Sequence, residues 1–252
     1  MDNKEINQKI DKYIKMLNIK SFSSFDSFIE YIEETYSENL FQQIVQELIN
    51  RIDDNEDNLY KIKNNNISLS LDFVSWSLSF YKKLFRKILS SNDIKGNVLD
   101  IGCDNGFITI FLAITYPNSN FIGIDKNPNS IEIAKNLACK YNIDNIEFFT
   151  LDILNSNNYF DMEHFDTILS IRIIHELSNN LNILNKYLFN IFRLLKTNGT
   201  FINSERLMDK TALDNWIKNL KKHDFKIQKN INYIFFNEFE YRGTLPLIIA
   251  KK

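Results

Sequence analysis

Residues Val98 to Gly106, VLDIGCDNG, constrain the fold more tightly than any other stretch of the chain. Val98, Leu99 and Ile101 are the apolar residues of a buried central strand, and Gly102 and Gly106 bracket a tight turn in which backbone can approach a ligand. Phe107, Ile110, Phe111 and Ile114 then recur at helical spacing, so the segment reads as strand, turn and helix, the opening unit of a parallel α/β sheet. A second apolar run, Phe121 to Ile124, ends at Asp125, where an acid can accept both hydroxyls of a ribose.

Asp104 stands where a dinucleotide-binding GxGxxG turn has the glycine that lets backbone contact pyrophosphate. A carboxylate there repels phosphate. S-adenosylmethionine has a ribose and an adenine but no phosphate, and its sulfonium and ammonium are cationic. Asp100 and Asp104 therefore suit S-adenosylmethionine and disfavour NAD.

Val98 to Ile110 resembles the first motif of class I S-adenosylmethionine-dependent methyltransferases, a hydrophobic strand followed by (D/E)xGxGxG, with Asp104 in place of the middle glycine. The resemblance continues in order through FIGIDKNP (Phe121 to Pro128), LDIL (Leu151 to Leu154), FDTILSIRIIHEL (Phe165 to Leu177) and LLKTNGTFI (Leu194 to Ile202). It implies an α/β fold with a Rossmann-like seven-stranded sheet, an antiparallel C-terminal hairpin and S-adenosylmethionine as cofactor. It also implies backbone contacts from Gly102, Cys103 and Gly106, and an Asp100 that orients the turn or meets the ammonium. Asp125 takes the ribose, Asp152 the adenine amino group, and Ile153 offers its amide to the ring. Ser170 matches the position whose carbonyl faces the methionine end, and Lys126 flanks the adenine edge or lies on a surface turn.

Residues 1–90 read as a helical N-terminal cap over the acceptor site, and 91–252 as the cofactor-binding catalytic domain. Ile6, Ile10, Ile14 and Leu17 form one apolar stripe, Phe25, Phe28, Ile29 and Ile32 a second, and Leu40, Ile44, Leu48 and Ile52 a third after a cap at Ser37. A fourth helix is predicted unbroken from Leu71 to Leu89. Strands near Val98, Phe121, Ile146, Thr167 and Thr200 alternate with helices, the last running from Leu181 to Lys196. Two final strands, Lys226 to Phe236 and Tyr241 to Ala250, have so short a connection that they can pair only antiparallel. Phe25, Phe28, Tyr31, Tyr60, Trp76 and Phe80 suggest a lid, with a minority of these rings at the ligand and the rest in ordinary core. Removing everything before Ser68 is expected to spare cofactor binding and abolish transfer.

The chain has 252 residues, 44% of them hydrophobic, enough for a sizeable core. Its net charge of −2, with acids and lysines interspersed, gives no reason to expect nucleic acid or an anionic membrane as partner. Two cysteines, Cys103 and Cys139, lack metal-ligand spacing and read as packing residues of a reducing compartment. No secretory signal or membrane span is visible, which makes the expected location cytoplasmic. Asparagine runs such as Asn64 to Asn66 accompany only 6 glycines and 3 prolines and read as coding bias.

Methyl transfer from a sulfonium needs in-line approach and a nucleophile with a free lone pair. His175, just beyond the fourth strand, is the candidate base, with packing or helix capping as its alternative. Glu205 and Arg172, at the same end of the sheet, are candidates for holding acceptor polar groups, as is Arg206. No (D/N)PP(Y/F) sequence follows the fourth strand and no metal-binding acids pair there, so no metal is expected. The sequence predicts methyl transfer to an oxygen or nitrogen of a small molecule or peptide. An RNA or protein methyltransferase, or a binding module without turnover, remains as alternative.

Overall fold

The computed structural model describes residues 1–50, 57–174, 180–206, 210–228, 231–238 and 241–252. Among the described residues six helices precede the first strand: α1 (Asn3–Met16), α2 (Phe25–Thr35), α3 (Glu38–Asn50), α4 (Asp57–Lys63), α5 (Ile67–Trp76) and α6 (Leu78–Ser91). Short polar side chains start several of them. Asp2 caps α1 through Glu5 N, Ser24 and Ser27 form a capping box on α2, and Asn66 accepts from Leu69 N at the head of α5.

The unbroken fourth helix expected from Leu71 to Leu89 is two helices, divided at Ser77 (φ −96°, ψ 16°). Ser77 Oγ accepts from an Arg172 guanidinium nitrogen at 3.3 Å, so a contact ninety-five residues distant in sequence accompanies the break. Apolar periodicity runs through the break because Val74 of α5 and Phe80, Leu84, Phe85 and Ile88 of α6 pack into one core. The short α4 corresponds to none of the helices expected from the sequence.

The rest alternates as expected: β1 (Asn97–Ile101), α7 (Phe107–Thr115), β2 (Asn120–Asp125), α8 (Pro128–Lys140), β3 (Ile146–Thr150), β4 (Phe165–Ile171), α9 (Leu181–Leu194), β5 (Leu195–Ser204), α10 (Lys210–Lys222), β6 (Lys226–Ile227), β7 (Asn232–Glu238) and β8 (Tyr241–Lys251). The strand order is β3-β2-β1-β4-β5-β8-β6, with β7 also on β8. β1 to β5 are parallel, and β8 is antiparallel to β5, β6 and β7. Among the described residues the strands number eight rather than seven, because the expected Lys226 to Phe236 strand is two pieces along one edge of β8. α9 ends at Leu194, short of the predicted Lys196, and passes directly into β5, whose pairing with β4 shifts register between Phe165 and Thr167.

Alternate β1 side chains go to opposite faces: Val98 packs with α1, α6, α7 and α8, and Leu99 with α9 and α10. α1 shares the first core with the sheet through Ile6, Ile10, Tyr13 and Leu17. Phe28, Ile32, Phe41, Ile44 and Leu69 form a smaller cluster of their own. Leu247 pairs with Ser204, the last residue of β5, so β8 before Leu247 runs beyond the carboxyl end of β5, where β7 packs on α6. No helix among the described residues is long and apolar enough to cross a membrane.

Candidate functional site

A cavity of about 600 Å³ opens across the carboxyl ends of β1 to β4, where open α/β sheets bind ligands. Its floor is Ile101 to Asn105 after β1, Asp125 to Ser130 after β2, Leu151 to Leu154 after β3 and Ile171 to Ile173 after β4. Phe73 and Trp76 of α5, Ser77 between the helices and Tyr81 of α6 also line it, and Ser77 meets Arg172 after β4.

The turn after β1 is drawn against β2 because Gly102 N and Cys103 N both donate to Ile124 O, at 2.8 and 3.0 Å. Gly102 has φ +69°, a conformation that favours glycine, and a Cβ there would lie 2.1 Å from Ile173 Cδ1, so any side chain would also have to displace the end of Ile173. Asp125 accepts from Asp104 N at 3.0 Å through Oδ2 and from Asn127 N at 2.8 Å through Oδ1. These two bonds fix the carboxylate plane. Burial, and then the Asp104 charge, push Asp125 up to about 6 against the pull of those hydrogen bonds. Asp152 Oδ1 accepts from Leu154 N at 2.8 Å, capping a 3-10 turn over Ile153–Asn158, and Asn190 holds Ile153 O at 2.8 Å.

Asp100 does not line this cavity. It is buried in β1 with Oδ2 accepting from Thr109 at 2.6 Å, and burial pushes it up to about 7. Gly106 starts α7 at φ +77° and is likewise outside the lining, whereas Cys103 belongs to it. Burial raises the Cys103 thiol well above its ordinary value, so it stays protonated, and neither cysteine is in a disulfide. Ser170 is enclosed one residue before the wall begins: its Oγ meets Tyr187 OH at 2.6 Å, and its carbonyl accepts from Asn203 at 3.0 Å. Lys126 is exposed at the rim.

At the other end, Arg172 lines the cavity at φ +63°, with its guanidinium 5.5 Å from the Phe80 ring centroid. Glu205 is buried beside it rather than on the wall, accepting from Ile173 N at 3.0 Å and Asn203 at 3.1 Å, so it supports the segment after β4. His175 lies outside the described residues. Among the six lid aromatics, Trp76 lines the cavity and Phe28 and Phe80 are buried in core; Tyr60's side chain is outside the described set.

Asp104 differs most from expectation. Lys63 Nζ, at the end of α4, donates to Oδ2 at 2.6 Å, while Asn64 and Ser130 donate to Oδ1 at 2.8 and 3.1 Å. Burial raises this carboxyl, but Lys63, Asn64 and Ser130 outweigh it and hold it below the usual carboxylate value. The turn is therefore charge-compensated. Repulsion of a pyrophosphate by an unpaired Asp104, the sequence argument against NAD, gives way to occupation of the glycine position by a bonded side chain.

The same bonds correct the reading of Asn64. It is 2% exposed, accepts from Ser70 at 2.8 Å and donates to Ser130 at 2.7 Å, and Asn105 closes the network on Ser70 at 2.8 Å. Asn64→Ala is expected to destabilise the protein by about 1–3 kcal/mol, because it strands buried partners; a denaturant midpoint measures it.

A protein-family profile described as "Methyltransferase domain" matches residues 92–240. The chain belongs to the class I S-adenosylmethionine-dependent methyltransferases. It is an enzyme family that uses S-adenosylmethionine, and the cavity of this methyltransferase is lined by the glycine turn after β1, by Asp125 at the end of β2 and by Asp152 after β3. Carboxy-S-adenosyl-L-methionine synthase of Staphylococcus epidermidis is 27% identical over 188 residues, 72% of this chain and 78% of that protein. The 2-heptyl-1-hydroxyquinolin-4(1H)-one methyltransferase of Mycobacteroides abscessus is 28% identical over 102 residues, 40% of this chain and 43% of the relative. A SAM-dependent methyltransferase from Aquifex aeolicus superposes with a TM-score of 0.56 at 15% identity, over 69% of this chain and 92% of its own, a likeness of fold.

Lys63, Asn64, Phe73, Tyr81 and Tyr187 joined the site without having been singled out for it. Tyr81 carried only the helical periodicity of a core residue, Phe73 and Tyr187 no signal beyond lying on helices, and Lys63 sat in a short polar segment among many lysines. Among the described residues no cluster of three metal-ligating side chains occurs.

Proposed function

We propose that this methyltransferase moves a methyl group from S-adenosylmethionine to an oxygen or nitrogen of a small molecule or peptide. The observation that carries this reading is that one cavity at the strand ends is lined both by the acids Asp125 and Asp152 and by the aromatic rings Phe73, Trp76 and Tyr81 together with Arg172. Its size falls within the roughly 300–1,000 Å³ of small-molecule sites. A macromolecule would have to present a single group into it.

Bound S-adenosylmethionine supplies a methyl group already activated by its sulfonium. The chain's own residues bind and orient. Asp125 accepts the ribose hydroxyls, Asp152 and Ile153 meet the adenine edge, and the aromatic wall holds the acceptor near in-line distance while excluding water. Arg172 offers a guanidinium to an anionic or polar acceptor group, Glu205 fixes the segment that carries it, and His175, two residues beyond Ile173, takes the acceptor proton. His175→Ala is expected to lower turnover while leaving S-adenosylhomocysteine affinity intact, and the unaltered enzyme to slow below roughly pH 6.5. Unchanged turnover returns His175 to a packing or capping role.

The relatives named carboxy-S-adenosyl-L-methionine synthase span enough of the chain to favour a second reading, in which the product is a modified cofactor. One experiment separates the readings. Methyl-labelled S-adenosylmethionine is incubated with the enzyme and a cell extract divided into small-molecule, RNA and protein fractions. Label in a new small molecule or peptide, with release of S-adenosylhomocysteine, is expected. A cofactor heavier by a carboxyl group selects the synthase reading. Label only in RNA or intact protein replaces the acceptor class, and binding without product leaves a module without turnover.

A further inference from the structure

Lys63 and Asp104 carry opposite charges 2.6 Å apart inside the cavity, at the position where the family's turn has a glycine. The order of the strands dictates what lies above them. With adenine at the end of β3 and ribose at the end of β2, a ligand continuing along the sheet reaches the turn after β1, since neighbouring strands are about 4.8 Å apart. The remaining part of S-adenosylmethionine on that path is its α-amino acid, a paired ammonium and carboxylate. Asp100, the other acid considered for the ammonium, is bonded to Thr109 and is not on the cavity wall.

We infer that Lys63 and Asp104 are the receptor for this amino-acid end: Lys63 takes the α-carboxylate and Asp104 the α-ammonium. The hydrogen-bond inventory permits both without breaking the pair. An ammonium has three N–H donors, of which Asp104 takes one; each carboxylate oxygen accepts about two bonds, and Oδ2 receives the Lys63 bond while Oδ1 receives Asn64 and Ser130. Ligand binding then extends one ion pair into a ring of four alternating charges. The Lys63 side chain is 13% exposed and that of Asp104 28%, enough for contact from the cavity while most water is excluded. Asn64 and Ser130 hold the Asp104 carboxylate in place beforehand, so little is lost in ordering it. Asp104, which departs from the glycine pattern, becomes half of a specificity device that reads both charges of an amino acid.

This inference rests on the cofactor reading, and the test separates the two. Affinities for S-adenosylhomocysteine and for 5′-methylthioadenosine, which lacks the amino-acid end, are measured by calorimetry on the full chain. Lys63→Met and Asp104→Asn are each expected to weaken S-adenosylhomocysteine by about tenfold and to leave methylthioadenosine within about twofold. Lys63→Arg should keep most of the affinity. Equal losses for both ligands, or none for either, overturn the assignment by making the pair a structural support or irrelevant. A further measurement needs no variant: on the unaltered chain, S-adenosylhomocysteine without its carboxylate should bind about tenfold more weakly than the intact molecule, and equal affinity removes Lys63 from the receptor. If the unaltered chain binds neither nucleoside, the cofactor reading itself falls and takes this inference with it.

Discussion

Asp125→Ala is expected to weaken S-adenosylhomocysteine ten- to a hundredfold, about 1.4–2.8 kcal/mol, if one carboxylate accepts both ribose hydroxyls as proposed. Asp104 N and Asn127 N already align that carboxylate, so the bonds form at little ordering cost. Its raised value, about 6, gives two pH effects. Binding needs the ionised form, so affinity in the unaltered protein should fall progressively below pH 6, while the residual affinity of Asp125→Ala should lack that component. Folding stability follows the opposite sign. A carboxyl raised from 3.8 to about 6 costs on the order of 3 kcal/mol while ionised in both states, and the cost is relieved as pH falls from about 6 toward 3.8. Asp125→Asn removes that cost but leaves one backbone N–H poorly matched, an offset of about 1–3 kcal/mol. The cofactor-free variant should therefore melt no lower than the parent at pH 8 while binding worse. A lower melting temperature together with unchanged affinity would make Asp125 a structural turn residue.

What the sequence made legible was local. The strand, turn and helix from Val98 to Ile114 depend on residues near one another, and apolar period and glycine placement state them directly. Asp125 and Asp152 could be located because they follow strands, and the topology brings strand ends to one edge of the sheet. The misread features depend on distant partners. The charge state of Asp104 depends on Lys63, forty-one residues earlier, and the break at Ser77 accompanies a contact to Arg172. Asn64 looked like composition until Ser70, Asn105 and Ser130 surrounded it. Asp100 occupies the first acidic place of the motif, yet strand alternation turns its side chain to Thr109 and away from the cavity wall. Periodicity identifies a buried face but does not reveal which buried polar groups find one another.

Phe85→Ala is expected to cost about 3–5 kcal/mol of folding stability. Phe85 is fully buried in α6, stacked on Phe111 of α7 with centroids 3.8 Å apart, and close to Phe107, Tyr13 and Tyr81. These rings come from α1, α6 and α7, so their packing joins the N-terminal helices to the helix that begins immediately after the cofactor turn. Tyr13 OH donates to Phe107 O at 2.6 Å and ties α1 to the first residue of α7. Removing everything before Ser68 would therefore strip Tyr13 from that core and Lys63 and Asn64 from Asp104, and cofactor binding should fail along with transfer, a revision of the expectation from sequence. In Phe85→Ala the melting temperature should drop by roughly 10 °C at this chain length. A hundredfold excess of S-adenosylhomocysteine over its dissociation constant should restore about 2.7 kcal/mol, if the turn still folds around ligand. Phe85→Leu, retaining much of the buried volume, should lose less. A loss below about 1 kcal/mol in Phe85→Ala would mean that neighbouring rings close the cavity and that α1 is peripheral to the fold.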